Sequence, residues 1–376
     1  MTVDNGVQKS GTNRRTFVKL ATAGAALCTS RTALGTPHVS AASAFAGSAN
    51  RESVIGEGEH QFRVEHHWPQ LPEQYSWQTT HNVAVDQAQN LYVIHEGRAD
   101  LTDHPSIFVF DAKGKFVRAF GEQFQGGGHG IEVREEDGEE FLYVAAYQNV
   151  KCFAKLTLNG EVVWQRFAPM QSGKYAEGEA ARPKKIWGRD RFMPTNFAFL
   201  PDGGFLLADG YGAFFIHRYD KHGNWLDCFG GPGKGNGTFN TPHGLWIDNR
   251  GEKPLVVITD RAHDTLQRFN LDGSYIDTIG GFGLPANVDS QGDLLLVPEL
   301  VARVSILDRD NNVVAQLGSD VERISADKKK TIRRDEGQWQ TGKFVHPHDA
   351  CFAADGSIFV AEWVGTGRVT KLSKIS

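Results

Sequence analysis

Six stretches of this chain repeat one pattern, and that repetition limits the fold more than any other feature. A short apolar strand runs into an Asp/Gly turn and a second strand, a third strand ends near Asp, and Gly or Asn-Gly leads to a fourth. The third unit shows it most clearly, as Phe197–Leu200, Pro201-Asp202-Gly203, Phe205–Ala208, Phe215–Tyr219, Lys221-His222-Gly223-Asn224 and Trp225–Phe229. The fourth repeats it with Leu245–Asp248, Leu255–Thr259, Thr265–Phe269, Asp272-Gly273 and Tyr275–Ile279. The first does so with Val83–Asp86, Leu91–Ile94, Ile107–Phe110, Lys113-Gly114 and Phe116–Phe120; the others begin near Gly130, Asn287 and Asp349. Four antiparallel strands per repeat of roughly 40–50 residues define an all-β, six-bladed β-propeller. The last unit has three strands, and Gln61–His67 is expected to supply the fourth, closing the ring and removing an unpaired edge. The propeller domain is placed at 60–376.

Composition agrees with this fold. Gly at 42 and Phe at 24 of 376 residues suit turns and aromatic strands, and 40% hydrophobic with 23% charged residues excludes a disordered chain. No apolar run reaches membrane-spanning length. Residues 1–45 read as a targeting segment and linker. Arg14-Arg15 with Phe17 and Lys19 precedes a mildly apolar run and small residues, the pattern of a twin-arginine export signal. A periplasmic or secreted protein is expected. Residues 1–41 carry Lys9, Arg14, Arg15, Lys19 and Arg31 against Asp4, so the remainder is more acidic than the whole chain's −5, which argues against a nucleic-acid partner. A monomer acting on a small anionic or peptide-like substrate is the expected form. Cys152, Cys228 and Cys351 allow at most one disulfide and read as three separate strand thiols. No G-x-S-x-G motif is present, and Gly230–Gly237 reads as a connection between blades, not a phosphate loop.

The residues entering each innermost strand carry the chemistry. They are Thr80-His81-Asn82, Gly128-His129-Gly130, Pro194-Thr195-Asn196, Pro242-His243-Gly244, Pro285-Ala286-Asn287 and Pro347-His348-Asp349. Equivalent positions in a propeller form a ring around the channel. A single Pro-His-Gly would be an ordinary turn tripeptide. Histidine on every second blade is different, because His129, His243 and His348 then converge on one axial point. Three imidazoles with an open position suit a catalytic zinc, and also iron, copper or nickel. His81 shares the ring and is read as a fourth ligand, a proton shuttle or channel wall. Asp349 is a candidate to orient His348.

These motifs resemble the NHL-repeat propellers, and among them the peptidyl-α-hydroxyglycine α-amidating lyases. The resemblance rests on His346-Pro347-His348-Asp349 with Asp355–Val360, on Phe239–His243, and on Pro194-Thr195-Asn196 with Ala208–Tyr211. It implies zinc on His129, His243 and His348, a catalytic Tyr211, a substrate-binding Arg261 and a structural calcium at Asp349. The family's first blade carries His-Arg-Gly, whereas here His95-Glu96-Gly97-Arg98 stands, which makes Arg98 the candidate second cation. His346 replaces a family Met, and Gly212 replaces a family Cys after the tyrosine.

The implied reaction cleaves a carbinolamide C–N bond. It needs a Lewis acid, a base and a cation for the carboxylate, roles that fit the metal, Tyr211, and Arg261 or Arg98. Alternatives are a zinc hydrolase acting on a lactone or ester in the same channel, and a binding propeller without turnover. Two insertions, 170–193 and 319–345, enter inner strands and should lie on the histidine face. The first carries Lys174, Arg182, Lys184, Lys185, Arg189 and Arg191, the second Lys328, Lys329, Lys330, Arg333 and Arg334, which suits an anionic substrate.

Overall fold

The strand Leu91–His95 is buried along its whole length, and the reason gives the architecture. Successive side chains point to opposite faces. Tyr92 and Ile94 pack with Ile131, Leu142 and Val144 of the following blade. Leu91 and Val93 pack with Phe359, Ala361 and Val369 of the last blade. Every sheet is covered on both faces by its neighbours, so the core is divided among the blade interfaces.

The computed structural model describes residues 53–375 apart from 99, 102, 182 and 183. The segment 1–45 and Arg182 of the first insertion lie outside the described residues. Six sheets form a six-bladed propeller, five of them four-stranded. The innermost strands are Thr80–Val85, Gly128–Glu136, Phe197–Phe199, Pro242–Asp248, Asp289–Gln291 and Pro347–Phe352.

The sixth sheet closes the ring. Phe62–His66 pairs antiparallel with Arg368–Lys374, from Phe62 opposite Lys374 to His66 opposite Thr370. Ser53–Ile55 adds a fifth strand outside it, so the sheets begin ahead of the boundary at 60. Cys152, Cys228 and Cys351 are all free. Among the described residues, no helix is long and apolar enough to cross a membrane.

Both insertions are anchored. The first is tied by buried Glu179, which pairs with Lys151 at 2.6 Å and Arg191 at 3.0 Å and accepts from the Phe192 amide. The second carries the helix Val321–Ala326 and two short 3-10 turns. It is held by its own small cluster of Ile324, Ile332, Val345 and Val364, with Trp339 packed against them.

The closing strand contains a titratable joint. His66 Nδ1 lies 2.8 Å from Thr370 Oγ1, while Nε2 accepts from the Gly342 amide at 3.1 Å. An imidazolium has no lone pair for that amide. Burial, reinforced by the nearby Arg368 charge, pushes the His66 pKa down from 6.5 to about 4. The folded value is the lower one, so this contribution is complete above about pH 6.5 and is lost as pH falls toward 4. Melting temperature should therefore drop across that window, and drop less in His66→Asn. Equal slopes for wild type and variant would remove His66 from the closure.

Candidate functional site

Four histidines reach the channel through the same backbone device. In blades one, two, four and six the pairing of the inner strand shifts register at the histidine, between Thr80 and Asn82, Gly128 and Gly130, Pro242 and Leu245, and Pro347 and Asp349. A bulge releases one residue from the ladder and re-aims its side chain. His81, His129, His243 and His348 are all at most 2% exposed. Adjacent ring centroids lie 4.5 to 4.9 Å apart.

Three of them share a further feature. His129 Nδ1 donates to the Thr195 carbonyl at 3.0 Å, His243 Nδ1 to the Ala286 carbonyl at 2.6 Å, and His348 Nδ1 to the His81 carbonyl at 2.9 Å. In each case the acceptor is the equivalent position of the next blade. A carbonyl can only accept, so Nδ1 carries the proton and Nε2 keeps its lone pair. Burial pushes all three pKa values well below the usual histidine range, which keeps the rings neutral. His129 and His243 Nε2 stand 3.2 Å apart, and His348 Nε2 has no hydrogen-bond partner among the described residues. Lone pairs this close repel unless a cation lies among them. The donor set therefore fits a transition-metal ion.

His81 differs. Its Nδ1 has no hydrogen-bond partner among the described residues, and Nε2 makes at most a long contact, 3.5 Å from Glu96 Oε2. Distance alone groups His81 with His129 and His348, whose donor atoms all lie within 4.8 Å of one another and could hold a metal ion. Hydrogen bonding instead prepares His129, His243 and His348.

Tyr211 stands over this ring. Its hydroxyl is 2.9 Å from His243 Nε2 and 3.4 Å from His129 Nε2, and it accepts from Arg261 Nη1 at 2.9 Å. Burial raises the phenol pKa, while Arg261 pulls it back. Asp209 shapes the turn that carries the tyrosine, accepting from the Met193 and Ala213 amides at 2.6 Å each. The Tyr175 hydroxyl also donates to Asp209 at 2.9 Å. Behind it, Trp225 Nε1 donates to His217 Nδ1 at 3.1 Å, so His217 Nε2 donates to Tyr175 at 2.6 Å. A Cβ at Gly210 would collide with the Pro242 carbonyl, and one at Gly212 with the Arg191 carbonyl. The first insertion thus occupies the space that a side chain following Tyr211 would need.

Arg98 does not join the site. Its guanidinium is exposed and pairs with Asp100 at 2.5 Å. Two positions earlier, Glu96 faces the channel mouth and accepts from Gln148 Nε2 at 2.5 Å. Nor does Asp349 orient His348, because that ring leans on the His81 carbonyl. The Asp349 carboxylate instead accepts from the Val83 amide at 2.8 Å and from Asn287 Nδ2 at 2.6 Å. It lines a small cavity of about 130 Å³ with Glu132 and Asp289. Burial raises the pKa of all three acids, with Asp289 and Asp349 at about 7. His346 lies aside, its Nδ1 on the Leu300 carbonyl at 2.6 Å.

Above the histidines opens a cavity of about 620 Å³, lined by Glu96, Tyr147, Trp187, Tyr211, Arg261 and Arg333 among others. Several of these occupy a second repeated position, one that the inner strands do not reveal. The residues directly after the second strands are Glu96, Tyr147, Asp209, Arg261, Leu300 and Trp363. All but Asp209 line the mouth, and blade three supplies Tyr211 two positions later. The basic insertions contribute selectively. Arg189 stacks on Phe214 at 3.6 Å and Lys174 over Phe215 at 4.4 Å, whereas Lys330 and Arg333 reach the mouth.

No family model matches the chain. It is similar to peptidyl-alpha-hydroxyglycine alpha-amidating lyase 1 of Drosophila melanogaster, 26% identical over 286 residues, which covers 70% of this chain. The chain spans about half, 48%, of that curated relative's length. Among solved structures, a streptogramin B lyase superposes with a TM-score of 0.52 at 12% identity, covering 84% of this chain and 99% of the other. A gluconolactonase from Xanthomonas campestris gives 0.53 at 12% identity, covering 84% and 90%. These structural likenesses establish the propeller fold.

The hydrogen-bond pattern discriminates between the two histidine sets. After dialysis against a weak chelator, metal content should fall sharply in His129→Ala, His243→Ala and His348→Ala and persist in His81→Ala. Elemental analysis of the purified variants reads this directly. Metal lost from His81→Ala but kept by His243→Ala would select the other set.

Proposed function

We propose that the protein is an exported metal-dependent lyase of the amidating-lyase type, cleaving the carbinolamide C–N bond of an N-acyl-α-hydroxyglycine. The observation that carries this reading is the convergence of three unprotonated Nε2 atoms beneath the Tyr211–Arg261 pair. The relative from Drosophila supports the substrate class, and the twin-arginine-type segment supports export to the periplasm or beyond. The acidity of the chain beyond its first residues supports a small-molecule substrate over nucleic acid, acted on by a monomer.

His129, His243 and His348 would hold the ion. Zinc suits them best, and iron or another divalent transition metal suits imidazole as well. When bound, the ion supplies Lewis acidity to a substrate oxygen and a positive field that favours the tyrosine's phenolate. The oxygen-rich cavity of Glu132, Asp289 and Asp349 suits a structural calcium.

The chain's own residues divide the remaining work. Arg261 makes no ion pair among the described residues, so its guanidinium is available to grip the substrate carboxylate. Tyr211 takes the carbinol proton. As the C–O bond becomes a carbonyl, the C–N bond breaks and its electrons pass to the amide nitrogen, which takes up a proton. The products are a primary amide and glyoxylate.

Tyr211→Phe keeps the ring and removes only the hydroxyl. Glyoxylate release from an α-hydroxyglycine peptide should fall by roughly a hundredfold or more, with metal content and melting temperature nearly unchanged. A lactone panel run alongside tests hydrolysis. Acid release from lactones without glyoxylate from the peptide would replace the lyase reading with a hydrolase one, and neither product would favour a binding propeller.

A further inference from the structure

The second insertion builds a cationic wall that a single carboxylate does not balance. Arg333 sits over Trp363, its Cζ 3.4 Å from the ring centroid. Its Nε donates to the Trp363 carbonyl at 2.8 Å and its Nη2 to Thr79 Oγ1 at 3.2 Å. Its own carbonyl accepts from the Gly365 amide at 2.9 Å, so both ends of the residue are tied to blade six. A guanidinium has five N–H donors, and Nη1 has no protein acceptor among the described residues. Lys330 places Nζ 4.9 Å from the same tryptophan ring. No carboxylate among the described residues forms an ion pair with Arg333, Lys330 or Arg261. The mouth's one acid, Glu96, is already engaged by Gln148 and stands beside His81.

Three cations and one carboxylate therefore share the cavity. A half-buried arginine stacked on an aromatic face, drawn toward Glu96 but making no ion pair with it, keeps donors free for a further anion. Lys330 has its pKa lowered by burial and by the crowding of Arg333 and Arg261, and a bound anion would relieve that repulsion. With Arg261 assigned to the carboxylate beside the scissile bond, Arg333 and Lys330 remain for another group.

We propose that Arg333 and Lys330 form a second anion subsite, and that the preferred substrates are dianions carrying a further carboxylate on the acyl side of the carbinolamide. This rests on the lyase reading for the placement of the first carboxylate. The charge count of the mouth does not depend on turnover.

Binding of unreactive glycine analogues separates the two ideas. N-succinylglycine has two carboxylates, whereas N-butyrylglycine has a similar length and one. Isothermal titration calorimetry of the purified full chain should show the dianion binding about tenfold tighter or better, the size of one charge-assisted contact. Arg333→Gln should reduce that preference to about twofold or less and leave N-butyrylglycine binding within about twofold. Arg333→Lys, which keeps the charge and loses the planar fork, should retain part of it. Lys330→Gln gives an independent reduction should Arg333→Gln melt early. Equal affinity for the two ligands in wild type, failure of both to bind, or an undiminished preference in both neutralised variants would overturn the subsite. Absence of glyoxylate release together with selective dianion binding would instead sink the lyase reading and leave the subsite standing.

Discussion

Every sheet of this molecule is buried on both faces, and that condition holds only in a closed ring. If Phe62–His66 did not pair with Arg368–Lys374, the last blade would expose a strand edge and lose the joint to its neighbour. Closure also brings blade six against blade one, where Asp349 accepts from the Val83 amide and His348 finds the His81 carbonyl. The contacts between blade six and blade one thus include the one that sets the His348 tautomer. The donor set that could hold a metal ion is complete only when neighbouring blades are in register.

The fold was legible because the hydrophobic alternation repeats with the turn residues six times. Strands with two apolar faces, such as Leu91–His95, read as plain apolar runs, and the period of the units settles what one run cannot. Ser53–Ile55 is not legible in this way, because it lies outside the repeat and follows no turn signal of its own. The histidine ring was legible for the same reason as the fold, being one position in a repeated register. What orients each ring was not. The sequence neighbour Asp349 looked like the partner of His348, but the bulge turns the two side chains apart, and the true partner is a backbone carbonyl on another blade. Backbone acceptors leave no residue-type signature.

The mouth illustrates a subtler loss. Its residues occupy a second repeated register, the position after each second strand, running Glu96, Tyr147, Asp209, Arg261, Leu300 and Trp363. These six share no chemistry, so no enrichment marks the position as histidine marks the ring below. Arg98 is the nearest cation in sequence to a motif that here carries Glu96, but nearness in sequence does not place it at the mouth. A strand end fixes the direction of the first residue after it, while later residues follow the loop, and Arg98 follows its loop out to Asp100.

The consequence concerns charge at a single depth of the channel. Glu96 brings a negative group to blade one where the resembled family has a positive one. In a cavity of this size, with low-dielectric walls, a carboxylate at the mouth repels an entering anion unless it is offset locally. Part of that neutralisation is visible in Gln148, which donates to the carboxylate, and in His81, whose nitrogen faces it. The rest of the mouth's cationic character comes from another part of the chain, since Arg333 is bound to Thr79 at the very entry to blade one. An insertion from before blade six thus places positive charge next to the blade-one carboxylate. The cation at this depth therefore comes from the topology and not from the blade-one motif, and it shares the mouth with the acid that faces it.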